Sequence, residues 1–205
     1  MMQNMLNSQS NALESDIQAL VPIEFLTSPI SILDADNLFT HLLNQTPWQE
    51  DAIEVYGRKF RIPRLQAWYA NEGVNYRYSN NLIKTLPWTP QLLALKKQIE
   101  DSTGCRFNAV LLTLYRDGQD CVEWHADNER ELGEDPWIAS LSLGTKRIFQ
   151  YRSNDNGHLE QCELVHGSLL LMSPEFQHYY QHQVPSQPEI NAPRINLTFR
   201  YVVNQ

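Results

Sequence analysis

A chain of 205 residues is long enough for one domain with a sizeable core and some appendages. Apolar residues make up 42% and charged residues 20%, and no apolar run approaches the ~20 residues of a membrane span, which excludes a helical membrane protein. A net charge of −8 counts against binding nucleic acid through the whole surface, and three cysteines without CxxC spacing exclude a disulfide framework or zinc knuckle and suggest a reducing, intracellular setting.

Residues 1–20 are rich in Asn and Ser and read as a flexible arm, not a secretion signal. Asp34 or Asp36 is the expected cap of a helix reaching about Thr46, with Leu38, Phe39, Leu42 and Leu43 on one face and Pro47 as its stop. Residues 53–79 read as strands and loops. Within them Arg58, Lys59, Arg61 and Arg64 put four cations into seven residues, a patch suited to phosphate or to water alone. Thr89-Pro90 opens a second helix through about Ser102, with Leu92, Leu93, Leu95 and Ile99 as its buried stripe and Gly104 as its end.

From there the pattern turns to strands: Phe107–Arg116, Ile138–Leu143, Arg147–Arg152, Ser168–Met172, His178–Val184 and Arg194–Val203. Each is short, β-branched or aromatic, and bounded by turn formers. Six strands after two helices predict an α+β, mainly β protein built on a sandwich or jelly roll. Gln183–Pro193, with three prolines, reads as a loop.

His125-Ala126-Asp127 is a His-x-Asp motif. In an extended segment, side chains two apart point the same way, so one strand end presents an imidazole and a carboxylate to one ion. A second imidazole, His182, follows 55 residues after Asp127. Two His and one carboxylate leave coordination positions open and suit non-haem Fe(II). On spacing alone His178 competes with His182, which is preferred because it sits just before the Val184-Pro185 turn. His41, His158 and His166 read as structural or solvated, and the three cysteines as buried fillers.

In Arg194-Ile195-Asn196-Leu197-Thr198-Phe199-Arg200 the alternation puts Ile195, Leu197 and Phe199 on one face and Arg194, Asn196, Thr198 and Arg200 on the other. Two arginines facing a barrel interior need an anion, because unpaired buried charge is costly. A dicarboxylate suits the two-pronged guanidinium. Thr113 and Tyr115 share a strand face and offer hydroxyls to the same guest. An ordinary edge strand with its polar side in water is the competing reading.

Together, His125-x-Asp127, His182 and Arg194-x5-Arg200 within Pro-Arg-Ile-Asn-Leu-Thr-Phe-Arg resemble the AlkB family of dealkylases. Ile138–Gly144, Leu164-x-His166-Gly167-Ser168-Leu169-Leu170, Pro63-Arg64 and Tyr76-Arg77-Tyr78-Ser79 extend the resemblance over about residues 54–202. It is nearest the animal DNA-repair branch.

The resemblance implies a double-stranded β-helix (jelly roll) with flanking helices and an N-terminal substrate-lid region: a single dioxygenase domain over 21–205, with a nucleotide-recognition lid at 53–79 and the jelly-roll core at 105–203. It implies Fe(II) at His125, Asp127 and His182, with 2-oxoglutarate and O2. Arg194 and Tyr115 are expected at the far carboxylate, Arg200 near the chelating end and Thr198 between them. The family often carries Asn where Thr113 stands.

Tyr76, Arg77, Tyr78 and Ser79 match the strands that cover a flipped-out base, which would stack between Tyr78 and His125. Glu129, beside Asn128, matches an acid that reads an exocyclic amine. Tyr56-Gly57-Arg58 matches the finger that fills the gap in a duplex. The implied activity is oxidative N-demethylation of 1-methyladenine and 3-methylcytosine in alkylated DNA by an intracellular monomer without membrane attachment. An RNA demethylase, an oxygenase of protein or lipid, and an inactive jelly-roll binding module are the alternatives.

Overall fold

The computed structural model describes residues 22–50, 52–55, 58–74, 77–78, 81–82 and 84–203. Two sheets form the body. The larger has the strand order β1-β13-β10-β15-β8-β4-β7 and the smaller β12-β11-β14-β9. The larger comprises β1 (Ile23–Leu26), β4 (Leu65–Ala70), β7 (Thr85–Leu86), β8 (Ala109–Tyr115), β10 (Ile138–Gly144), β13 (Leu169–Met172) and β15 (Arg194–Arg200). The smaller comprises β9 (Val122–His125), β11 (Arg147–Ser153), β12 (Leu159–Leu164) and β14 (Tyr180–Val184). Two short hairpins, β2 (Ala52–Val55) with β3 (Arg58–Arg61) and β5 (Arg77–Tyr78) with β6 (Asn81–Leu82), stand apart from both. The result is a jelly roll.

Alternation on the strands decides what goes where. Ile195, Leu197 and Phe199 of β15 and Val110, Leu112 and Leu114 of β8 join one core cluster with Leu42 of α1 (Ile32–Gln45) and Leu92, Leu95 and Ile99 of α2 (Pro90–Thr103). The two helices therefore cover the outer face of the larger sheet, as the apolar face of β15 requires. The opposite residues, Leu111 and Tyr115 of β8, face a second cluster with Phe149, Leu164, Phe176 and Val184 between the sheets. The polar residues of β15 share that interior.

Several boundaries differ from expectation. Helix α1 begins three residues earlier than a cap at Asp34 would start it. Ser31 caps it, its hydroxyl accepting from the Asp34 amide at 3.1 Å, while Asp34 lies in the first turn, where a carboxylate favours the helix dipole. Thr89 and left-handed Gly104 (φ 71°) cap α2 as expected, but Leu93 is 48% exposed and outside the stripe. The segment expected as strand His178–Val184 is helix α3 (Pro174–Tyr179) followed by β14, because Ser173-Pro174 is a helix start.

His178 is thus on a helix, 3.6 Å from Asp135, and does not share a strand face with His182. The strand after Pro193 stops at Arg200, and the one before Arg116 begins at Ala109. Strands β1 and β12 went unread. Half of β12 is exposed, Leu159 as well as the polar Gln161 and Glu163, and β1 is an edge strand paired only to β13. All three cysteines are free and half-buried.

Candidate active site

His125 ends β9 and His182 lies in β14, and the two are direct partners in the antiparallel ladder. Partners across a ladder project to the same side, which brings the rings to 4.2 Å between centroids. Pairing shifts register between His182 and Val184, an irregularity of the kind that re-aims side chains beside active sites. Asp127 follows two residues past β9. One donor atom from each of His125, Asp127 and His182 lies within 4.8 Å of the others, and His182 Nε2 is 4.0 Å from Asp127 Oδ2.

The protonation states suit a cation. His125 Nδ1 is 2.8 Å from the Glu123 carbonyl oxygen, which can only accept, so Nδ1 carries the proton and Nε2 the lone pair. Burial, followed by His125, depresses His182 to about 3; Arg200 acts the same way and Asp127 opposes, leaving the ring neutral, the ligand form. Phe149 and Phe176 pack against that ring at 5.3 and 5.6 Å. Burial alone would raise Asp127. The Arg200 guanidinium, helped by His182 and His125, reverses this and holds the carboxyl below its usual range, with Arg200 Nη2 donating to Oδ1. Gln177, 1% exposed, accepts from the Asp127 amide at 2.9 Å. Nothing in the sequence singled out Gln177, since its role comes from α3 crossing behind the loop.

At the other end of β15 lies Arg194, 1% exposed. Its Nη2 donates to Ser142 Oγ at 2.9 Å and to Asn196 Oδ1 at 2.6 Å. Asn196 also accepts from Ser140 at 3.0 Å and donates to Thr198 Oγ1 at 2.8 Å. Nε and Nη1 of Arg194 are buried without a hydrogen-bond partner. Burial lowers this guanidinium to about 10, an effect the nearby Tyr115 partly offsets, and the Tyr115 ring centroid is 5.1 Å from Cζ. Ser140, Ser142 and Asn196 belong to the site through this network. The alternation of β15 points to Asn196, whereas the two serines lie in the Ile138–Gly144 motif, which by itself gives them no role.

One cavity joins the two ends. His125, Asp127, His182, Arg194, Thr198 and Arg200 all line it, with Thr113 and Tyr115 on the neighbouring β8. Of the remaining expected residues, Tyr56, Gly57, Tyr76 and Ser79 lie outside the described residues. Arg58 belongs to β3, and Arg77 and Tyr78 to β5. Asn128 is not brought to this cavity; it borders a separate depression with Glu134 and Asp135. Glu129 is half-buried, and its Oε2 has no hydrogen-bond partner. His166 holds structure, its Nδ1 accepting from the Gly144 amide at 2.8 Å.

Residues 23–200 match the family model described as the 2OG-Fe(II) oxygenase superfamily. "DNA oxidative demethylase ALKBH2" of Mus musculus is 34% identical over 83% of this chain and 76% of its own length. The chain belongs to the AlkB family of that superfamily. "Alpha-ketoglutarate-dependent dioxygenase alkB homolog 3" of Bos taurus is 41% identical over 84% of this chain, and the chain spans only 63% of that relative's length. The solved structure of OsALKBH1 superposes with a TM-score of 0.60 at 15% identity, covering 87% of this chain and 97% of that one, which supports the jelly-roll fold.

The donor set fits the cofactors of this AlkB superfamily, Fe(II) and 2-oxoglutarate with O2. An ionised Asp127, a neutral His182 and the free lone pair of His125 suit a divalent ion. The two unpartnered donors of Arg194 suit a carboxylate. Among the described residues, no helix is long and apolar enough to cross a membrane.

Proposed function

We propose that this protein is a dioxygenase that uses Fe(II) and 2-oxoglutarate to remove N-alkyl groups from nucleobases in DNA, with 1-methyladenine and 3-methylcytosine as its lesions. The observation that carries this reading is the pairing, inside one cavity, of a His-Asp-His cluster with a buried arginine that still has two donors to fill. The names of the murine and bovine relatives support the same direction.

In this reading His125, Asp127 and His182 hold the metal. Arg194 and Tyr115 bind the far carboxylate of 2-oxoglutarate, with Thr113 and Thr198 along its length. Arg200 neutralises Asp127 and keeps it ionised. With 2-oxoglutarate and O2, the bound iron supplies the oxidising power to hydroxylate the N-alkyl carbon, giving succinate and CO2, after which formaldehyde leaves the base. This chain's residues do the positioning: the Glu123 carbonyl sets the His125 tautomer, and the Phe149 and Phe176 rings keep water from His182.

An alkyl group on a pairing edge lies inside the duplex, so the base must leave the stack, and the lost pairing lowers that cost. Residues 53–79 form the lid in this reading. Tyr76, Arg77, Tyr78 and Ser79 cover the base, Asn128 and Glu129 lie at its edge, and Tyr56, Gly57 and Arg58 enter the duplex. The protein is read as an intracellular monomer with one domain over 21–205; the arm expected over residues 1–20 lies outside the described residues.

The test is mass spectrometry of a DNA oligonucleotide carrying 1-methyladenine, incubated with protein, Fe(II), 2-oxoglutarate and ascorbate. Loss of one methylene mass that needs 2-oxoglutarate and His125 is the expected result. Succinate release without change to the DNA would redirect the substrate to RNA, protein or lipid. Neither product would leave a binding module.

A further inference from the structure

We propose that Gln66 reads the target base and sets the preference between adenine and cytosine lesions, an inference that rests on the nucleobase reading above. Gln66 is 3% exposed, lines the cavity that holds His125, Asp127 and His182, and keeps its Oε1 buried without a hydrogen-bond partner. A buried amide oxygen without a partner costs free energy, so its presence on a cavity wall points to a ligand that completes it.

Position identifies that ligand. The polar groups around Arg194 come from β10 and β15. Strand β8 separates them from β4, where Gln66 faces Thr113 across the ladder. Strand β4 also follows the β2–β3 hairpin in the chain, through Ile62, Pro63 and Arg64, and Gln66 lies near its N-terminal end. The backbone around it is anchored, with Gln49 and Gln66 exchanging both amide–carbonyl bonds at 2.9 Å. The carboxamide therefore projects from a fixed backbone position on the β4 wall of the cavity, one strand further from the Arg194 network than β8.

A carboxamide offers an acceptor and a donor in one plane. Its oxygen accepts from an exocyclic amine, which adenine and cytosine both carry. Its nitrogen donates to a ring acceptor beside that amine, which 1-methyladenine presents as N7 and 3-methylcytosine lacks, because its N3 is alkylated and C5 carries only a C–H. Methylation at N1 of adenine leaves N7 free. Gln66 thus favours the adenine lesion.

The experiment compares wild type, Q66L and Q66E on otherwise identical oligonucleotides carrying 1-methyladenine or 3-methylcytosine. Both kcat/KM with Fe(II) and equilibrium binding with Mn(II) in place of iron are read, with 2-oxoglutarate affinity as a third measurement. Q66L should lower kcat/KM and affinity for 1-methyladenine by roughly 5- to 100-fold, the range of one two-pronged base contact, and for 3-methylcytosine by clearly less. Q66E keeps the acceptor and the shape while losing the donor, so it should retain 3-methylcytosine better than 1-methyladenine. Affinity for 2-oxoglutarate should stay unchanged in both.

Equal losses on the two lesions, a fall in 2-oxoglutarate affinity, or no change in either variant would overturn the assignment. Wild type that neither binds nor repairs either lesion would instead overturn the nucleobase reading itself, and Gln66's role with it.

Discussion

Strand β15 carries a buried arginine at each end, and the two stand in opposite electrostatic situations. Arg200 donates to the Asp127 carboxylate, itself 3% exposed. Arg194 meets only neutral groups, from Ser142, Asn196 and Tyr115, and has no carboxylate partner among the described residues. Both are equally deep, so burial does not separate them; the partner does. A guanidinium satisfied by a carboxylate is a structural counter-ion, whereas one left short of an anion is a binding site in waiting. The two should therefore respond in opposite ways to removal of their charge.

The largest expected effect lies in the cluster that Arg200 serves. His125→Ala removes one of the three proposed metal ligands from a half-exposed position, so the fold should persist while succinate formation falls. The fall should exceed about 100-fold, the upper end for losing a group that merely orients a metal ligand. Unchanged far-UV circular dichroism with full turnover would remove His125 from the metal site.

Next come the arginines themselves. Arg200→Met strands Asp127 as a buried unpaired carboxylate and should destabilise the protein by about 3–5 kcal/mol in urea unfolding without ligands. Arg194→Met removes a buried charge that lacks a counter-ion and should leave that unfolding unchanged or slightly improved. The same Arg194 variant should lose roughly 10- to 150-fold in 2-oxoglutarate affinity, the worth of a charge-assisted hydrogen bond. Equal destabilisation by both variants would erase the distinction between the two ends.

A third measurement sharpens it. In the presence of Mn(II), 2-oxoglutarate at 100 times its Kd should stabilise the wild type by about 2.7 kcal/mol, and at that same concentration Arg194→Met should gain only about 0.3–1.4 kcal/mol.

The smallest effect is acid sensitivity at the outer face of the larger sheet. Burial raises the Glu100 carboxyl, but its bond to the Phe107 amide at 2.8 Å, with Lys96 and Arg106 nearby, brings it below the usual glutamate value. A carboxyl lowered by folding contributes stability that is full above its unfolded pKa and is lost as pH falls through the lower folded value. Glu100→Gln should therefore lower stability near neutrality, by a difference from wild type that shrinks as pH falls, and so flatten the acid limb of a stability–pH curve below about pH 4.3.

Much of this was legible in one dimension. The 2-residue period of β15 assigned Ile195, Leu197 and Phe199 to a helix-covered face and four polar residues to an interior, because strand geometry leaves no other choice. His-x-Asp on a strand end needed only the same period. Thr89-Pro90 and Gly104 bounded α2 because capping is a local matter.

Choosing between His178 and His182 was not local. Both follow apolar and aromatic residues, and only the start of α3 at Ser173-Pro174 put His178 on a helix and His182 on the ladder opposite His125. The same holds for Ser140, Ser142 and Gln177, whose residue types suggest nothing until β10 lies beside β15 and α3 lies behind Asp127.

By itself, then, the sequence determined the alternation, the helix ends, and the residue types able to hold a cation and a dicarboxylate, all of which follow from backbone geometry within a few residues. Only the tertiary structure decided which histidine completes the cluster, that one arginine is satisfied and the other is not, and that Gln66 shares their cavity. Those depend on which strands lie side by side, and burial and hydrogen-bond completion are properties of neighbours in space, not in sequence.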